Sequence, residues 1–357
     1  MSWQLPKLPP DKNVETINIL KSLPSAHSAL AELKGIASTM PNQNILINTL
    51  SIREAKDSSA VENIITTHDD IYKSELNLDS FNSISAKEVQ NYVVALRRGY
   101  ELVKENQLLT TKTIIEIQGE LEKNKAGIRK LPGTSIKNLT TGETVYVPPQ
   151  NHTDIVNYLS NLENFINDDS LSPYDPLVKL GIMHYQFESI HPFYDGNGRT
   201  GRIINILYLI IKELQTVPIL YLSRYIIKHK SEYYSLLQKV REDSSWEEWL
   251  LFIIHGIEEI SRETIELILG IKSLMMDYKH KIRKNYKFYS QDLLNNLFKH
   301  PYTKIEFLVN DLGVTRLTAA NYLNKLAEDG LLKKEKLGPG NYYINEPLFK
   351  LLSKENA

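Results

Sequence analysis

His191-Pro-Phe-Tyr-Asp-Gly-Asn-Gly-Arg-Thr-Gly-Arg202 packs an imidazole, a carboxylate, a glycine-rich bend and two guanidiniums into twelve residues. Its flanks read as helices. Asp175 to Ile190 can place Leu177, Leu180, Phe187 and Ile190 on one inward face, and Ile203 to Ile211 is almost wholly apolar. The run is therefore a bend between two buried helices, the second starting near Gly198. A helix N-terminus offers unpaired N–H groups and the positive end of a dipole, which together bind anions. Gly196 and Gly198 let the backbone approach a phosphate with no Cβ in the way. Arg199 and Arg202, three apart, can share one side of the first turn, and a guanidinium fork matches phosphate oxygens. Asp195 is a hard oxygen ligand suited to Mg²⁺. His191, neutral near pH 7, can accept a proton from an incoming hydroxyl. The inventory suits a nucleotide polyphosphate.

Taken singly, each of these residues has a plainer reading: a histidine after a helix is usually structural, Gly-Asn-Gly is usually a turn, and helical arginines are usually solvated. Their order in one run decides otherwise. His191, Pro192, Phe193, Asp195, Gly196, Asn197, Gly198, Arg199 and Arg202 match HPFx(D/E)GNGRxxR at every specified position. The chain thereby resembles the Fic-domain proteins. That resemblance implies a mainly α fold, namely a helical catalytic core with a small β-hairpin flap. It also implies a nucleotidyltransferase that moves AMP from ATP to a Ser, Thr or Tyr hydroxyl of a protein (AMPylation). By the same likeness His191 is the base, Asp195 holds Mg²⁺, and Asn197 shapes the anion nest and contacts phosphate. Arg199 and Arg202 grip the outer phosphates, with Thr200 and Gly201 completing the nucleotide loop. His184, one turn earlier, is read as packing or as a hydrogen bond behind the site. Phe193 and Ile190 are read as core anchors.

Far upstream, Ser58-Ser-Ala-Val-Glu62-Asn63 follows a helix expected over about 42–56 and resembles the family's inhibitory motif, (S/T)xxxE(G/N). The likeness implies that Glu62 pairs with Arg202 and blocks the seat of the γ-phosphate, so that Ser58, Glu62 and Asn63 act as an intramolecular brake. It leaves open whether the chain also removes AMP, with Glu62 activating water. Between Gly127 and Gln150, two β-prone segments around Thr140-Thr-Gly142 read as a hairpin. In the resembling family this is the flap, here about 133–147, on whose edge a target protein docks as an added strand. Self-modification and a homodimer are both compatible with the pattern. Downstream, Tyr221 to Arg224 and Ser231 to Arg241 are placed at the nucleotide pocket. Tyr233 and Tyr234 are candidates for the adenine wall, although with 20 tyrosines in the chain any one is more often packing. Arg241 is a weaker candidate.

The formal charge of −1 supplies no global basic field for nucleic acid. The chain has no cysteine, so neither a disulfide framework nor a thiol nucleophile is available. The sequence shows no signal-peptide pattern at Met1-Ser-Trp-Gln and no apolar run of spanning length, so a cytoplasmic protein without a membrane segment is expected.

Three regions are expected: 1–110, helical and carrying the inhibitory motif after an extended arm at 1–10; 111–285, the Fic core; and 286–357, a winged helix-turn-helix. Ser85 with Glu88 suggests a capping box at the start of a helix over 85–105. Helices are also expected over 111–123, 153–167 and 246–284, the last ending in a basic, linker-like stretch to Lys287. In the C-terminal region, 304–311 and 315–329 read as helices, with Leu317, Ala320, Leu323 and Leu326 as the buried stripe of the second. Strands at 331–336 and 341–344 flank Gly338-Pro-Gly340. From Lys281 onward there are 13 Lys+Arg against 8 Asp+Glu, a balance of +5. Arg316, Thr318, Asn321 and Lys325 would face outward, compatible with DNA. A protein-docking or dimerising module fits as well and is favoured. Two functional classes thus compete: an autoinhibited AMP transferase, and a DNA-binding regulator with a Fic-like nucleotide sensor. The intact His191 and Asp195 favour the first, because a sensor needs a phosphate grip but no base.

Overall fold

A computed structural model describes residues 5–75, 83–137, 141–337 and 340–354. The chain is mainly helical. It opens with α1 (Ile17–Ser38), α2 (Gln43–Val61), α3 (His68–Glu75), α4 (Ile84–Asn106) and α5 (Thr111–Glu122). A strand pair follows, β1 (Ile136–Lys137) and β2 (Thr144–Tyr146). Next come α6 (His152–Asn167), α7 (Pro176–Ile190), α8 (Asn197–Ile211), α9 (Ser223–Lys228), α10 (Lys230–Asp243) and the long α11 (Trp246–Asn285). The C-terminal stretch is α12 (Gln291–Lys299), β3 (Tyr302–Lys304), α13 (Ile305–Leu312), α14 (Arg316–Glu328), β4 (Lys333–Leu337), β5 (Gly340–Ile344) and α15 (Glu346–Ser353).

Packing divides the chain into two compact units that do not follow chain order. The first holds 1–31, 57–64 and 91–261, and the second holds 32–56, 65–90 and 262–357. In the first unit α7 packs between α6 and α8, and α5 lies on α8. α7 was expected to bury one face. Instead Leu177 through Ile190 are all buried, which makes it the central helix of the unit. Its start is fixed by Asp175, whose side chain accepts the Leu177 N–H at 2.8 Å, followed by Pro176 in the first turn. Trp249 of α11 donates its indole N–H to Gly181 O at 2.9 Å, and a Cβ at Gly181 would meet Leu250 at 2.6 Å. A larger residue there would force the Leu250 side chain to shift. The hairpin pairs antiparallel, with Ile136 opposite Tyr146 and Lys137 opposite Thr144. Thr140 of its expected turn lies outside the described residues.

The second unit contains the C-terminal module. α13 and α14 are joined by a short turn through Gly313, and β5 lies between β3 and β4 in an antiparallel sheet. Gly338 and Pro339 of the expected wing turn lie outside the described residues. Tyr302 of β3 stacks on Tyr72 of α3 with ring centroids 5.8 Å apart and donates its hydroxyl to Asp69 at 2.6 Å.

Several local expectations are corrected. α2 runs on to Val61, through Ser58 and Ser59, because both serines are buried rather than facing solvent at an exit. The cap of α4 is Ser83, which accepts the Ala86 N–H at 3.0 Å, so Ser85 and Glu88 form no capping box. Residues 11–16, expected to be helical, precede the first helix, and residues 1–4 of the arm lie outside the described residues. The basic end of α11 is helix rather than linker, held by the buried Ile282 and Tyr286. In α14 the buried residues are Ala319, Leu323 and Leu326, whereas Leu317 is 73% exposed. Arg316, Asn321 and Lys325 do face outward, with Thr318 half-buried. Arg316 pairs with Glu306 at 2.5 Å, and Lys325 lies near Glu328 and Asp329.

Candidate active site

The bend between α7 and α8 is built from its backbone outward. His191 caps α7 in the left-handed region (φ 47°), and Gly196 (φ 76°) turns the chain into α8. A buried cross-brace closes the bend from Phe193 to Asn197: Phe193 N–H donates to Asn197 Oδ1 at 2.8 Å, and Asn197 Nδ2 donates to Phe193 O at 2.9 Å. The Asn197 side chain therefore shapes the nest from inside, and this amide is occupied there rather than by phosphate. Thr200 is fully buried. Gly201 lies in the α7–α8 seam, where a Cβ would meet Glu188 at 2.7 Å and Phe187 at 3.0 Å. Both were expected at the nucleotide, and both serve helix packing.

Each loop arginine meets a carboxylate. Arg202, buried, donates Nη2 to Glu62 Oε1 at 2.8 Å, and also Nε to Ser58 Oγ at 2.8 Å and Nη2 to Ser58 O at 2.9 Å. A Cβ at Gly198 would run into the Glu62 carboxylate, which shows how deep that group sits over the first turn of α8. Asn63, left-handed at φ 63°, ends the turn, and its Oδ1 accepts Lys230 Nζ at 2.8 Å. Ser58, Glu62, Asn63 and Arg202 are thus brought together. Sequence reading missed the second pair: Arg199 Nη2 donates to Glu122 Oε1 at 2.9 Å, and Glu122 lies where a Cβ of Gly196 would have to go. Glu122 ends α5 with no motif around it, so nothing in the sequence marks it.

Charge follows from this geometry. Burial works to raise the Glu62 carboxyl, but the guanidiniums of Arg202 and Arg199 and the hydrogen bond from Arg202 outweigh it and hold Glu62 below the usual range. Burial lowers the His191 imidazole to about 4, reinforced by the Arg129 and Arg241 guanidiniums, so it is neutral near pH 7. Glu188, one turn earlier, is pushed by burial up to about 7, with Arg202 opposing and Glu62 adding.

The flap is pinned to this centre. Tyr146 donates its hydroxyl to Ser189 O at 2.8 Å, and the Arg241 guanidinium lies 4.1 Å above its ring centroid. Val145 and Val147 are exposed. Arg241 thus serves the flap side of the site. Tyr221 is buried, with its hydroxyl donated to Pro218 O.

Tyr233 and Tyr234 part company. Tyr233 is 1% exposed, shares a hydrogen bond of 2.9 Å with His184 Nε2 and packs on Trp249, so it is core and forms no adenine wall. Tyr234 is 44% exposed and stays available. Asp195 is exposed, with Oδ1 accepting the Gly196 N–H at 2.7 Å. Among the described residues no cluster of three His, Asp or Glu is arranged for a metal. A single exposed carboxylate still fits Mg²⁺ that takes its other ligands from phosphate and water.

A helical core whose central bend carries this loop, with a hairpin beside it, defines the class as a Fic-fold protein. The solved structure of a Fic family protein from Desulfovibrio desulfuricans G20 superposes with a TM-score of 0.62 at 18% identity, covering 94% of this chain and 98% of that one. C. elegans Fic-1 (residues 134–508) gives 0.51 at 19% identity over 70% and 72%. Three family profiles match in order: Fic/DOC family N-terminal over 20–101, Fic/DOC family over 108–209, and protein adenylyltransferase SoFic-like, C-terminal domain, over 274–348. The chain belongs to the Fic/DOC family. Relatives include protein adenylyltransferase Fic of Aedes aegypti (26% identical over 172 residues, 48% of this chain and 32% of that protein). Protein adenylyltransferase fic-1 of Caenorhabditis briggsae is another (32% over 83 residues, 23% and 15%). The matched stretches span a third or less of these relatives' own length. Among the described residues no helix is long and apolar enough to cross a membrane.

Proposed function

We propose that this chain is a protein adenylyltransferase restrained by its own Glu62. The observation that carries the reading is the Glu62–Arg202 pair at 2.8 Å over the first turn of α8, where the outer phosphates of a nucleotide would sit. With Glu62 withdrawn, Arg202 and the α8 N-terminus take the triphosphate tail, and Arg199 joins once Glu122 yields. A Ser, Thr or Tyr hydroxyl oxygen then bonds to the α-phosphorus. The bond from that phosphorus to its bridging oxygen breaks, and pyrophosphate leaves with the electron pair. His191, neutral at this pH, takes the hydroxyl proton. Mg²⁺ held by Asp195 and phosphate oxygens would supply charge neutralisation on the leaving group. The remaining catalysis is positioning and electrostatics. The exposed flap edge at Val145 and Val147 is the docking strand for the target, and a segment of this chain can occupy it too. For the C-terminal module we favour protein docking, including a second copy of the chain, over DNA, because Arg316 and Lys325 are already close to carboxylates.

Incubation with labelled ATP and Mg²⁺, read by mass spectrometry for added AMP, tests the scheme. Glu62→Gly raises labelling about tenfold or more, corresponding to roughly 1.4 kcal/mol of relieved restraint. His191→Ala lowers it by roughly 10²–10⁴-fold while ATP still binds. Equal labelling of parent and Glu62→Gly would remove the brake, and retained transfer in His191→Ala would remove the base.

A further inference from the structure

Arg129 is 0% exposed, and a buried cation without a carboxylate is costly unless fully hydrogen-bonded. Its side-chain bonds run from Nε and Nη2 to main-chain carbonyls, while Nη1 is buried with no partner among the described residues. Nε donates to His191 O at 2.9 Å, and Nη2 donates to Ile190 O at 3.4 Å and to Pro149 O. Its own backbone N–H donates to Pro192 O at 2.9 Å. Behind it, His152 Nδ1 meets Arg129 O at 2.9 Å, and Tyr194 accepts the N–H groups of Lys130 and Leu131 through its hydroxyl. One residue therefore grips three successive carbonyls, 190 to 192, at the negative end of α7, and with the same guanidinium holds Pro149 at the base of the flap. We propose that Arg129 is a positioning residue for transfer: it fixes His191 in its left-handed conformation and sets the flap, with its docked hydroxyl, in register with the imidazole.

Its charge acts on the same ring. The groups facing the imidazole are Arg129 before the flap, Arg241 from α10, Glu62 from the inhibitory turn and the Glu188 carbonyl from α7. After burial, the first two lower it and the last two raise it. The fork and the charge can therefore be separated. Arg129→Lys keeps the charge but loses the fork, whereas Arg129→Met loses both at similar length.

The proposal rests on the transferase reading, so the test uses Glu62→Gly as parent, with kcat, KM for ATP, melting temperature and a chemical-shift titration of His191. Both variants should lower kcat about tenfold or more with KM for ATP within about twofold, since Arg129 holds the bend at residues 190–192, upstream of the turn from Gly196 to Arg202 where phosphate would bind. Only Arg129→Met should raise the His191 pKa, by roughly one unit, carrying the acid limb of the rate profile with it. Parental kcat in both variants, KM rising in step with the loss of kcat, or an unmoved His191 titration in Arg129→Met would each overturn the proposal. Should Arg129→Met fail to fold, the kcat-against-KM split of Arg129→Lys decides alone. If the Glu62→Gly parent transfers no AMP, the transferase reading fails by itself, while the titration still reports on Arg129.

Discussion

Glu188 is a buried acid beside a buried arginine, and its pH behaviour can be worked out with its sign. Its folded value of about 7 lies above the ordinary 4.5. The unionised side chain therefore stabilises the fold fully below about 4.5, and that contribution fades as pH rises through 7, by roughly 3 kcal/mol at most. Glu188→Gln removes the fade. Its melting temperature should match the parent near pH 4 and exceed it near pH 8; a constant offset at both would show that Glu188 ionises normally. At this scale the loop was legible because its residues adjoin: His191, Asp195 and both arginines are read off one run. Glu122 and Arg129 were not legible as partners. Arg199 meets Glu122 across 77 positions of sequence, and Arg129 meets His191 across 62, with no spacing rule connecting either pair.

The turn from Ser58 to Asn63 belongs to its element. α2 carries Ser58 to Arg202, ends at Val61, and reverses through Asn63 at φ 63°. Asparagine and glycine tolerate that region; a β-branched side chain there is strained by roughly 1–3 kcal/mol. Asn63→Gly and Asn63→Val both lose the bond from Lys230, so comparing them isolates the backbone. Basal AMP labelling should be several-fold higher in Asn63→Val, and identical labelling would mean the turn conformation does not hold Glu62. α7 and α8 were readable from apolar density. The end of α2 was not, since Asp57-Ser58-Ser59 reads as a polar exit while both serines are in fact interior. α12 and β3 were missed because nine and three residues give too short a pattern to register periodicity.

For the whole molecule, the sequence suggests three regions in chain order, and the packing of the chain into two units was not legible in it. Each unit gathers segments far apart in the chain, and composition carries no trace of such gathering. The local balance of +5 from Lys281 onward invites DNA, yet the α14 cations lie against carboxylates of their own module. A gel shift of the full chain on random duplex at low salt should show no complex. A complex whose affinity falls steeply with added salt would reverse that assignment. Asn197-Gly198 is the dipeptide most prone to cyclise to a succinimide, through attack of the glycine nitrogen on the amide carbon. In the fold that amide is clasped on both sides by Phe193 and cannot swing toward the nitrogen. Spontaneous deamidation there is therefore confined to moments when the loop comes apart, and aspartate plus isoaspartate at 197 in an aged preparation records how often it has done so.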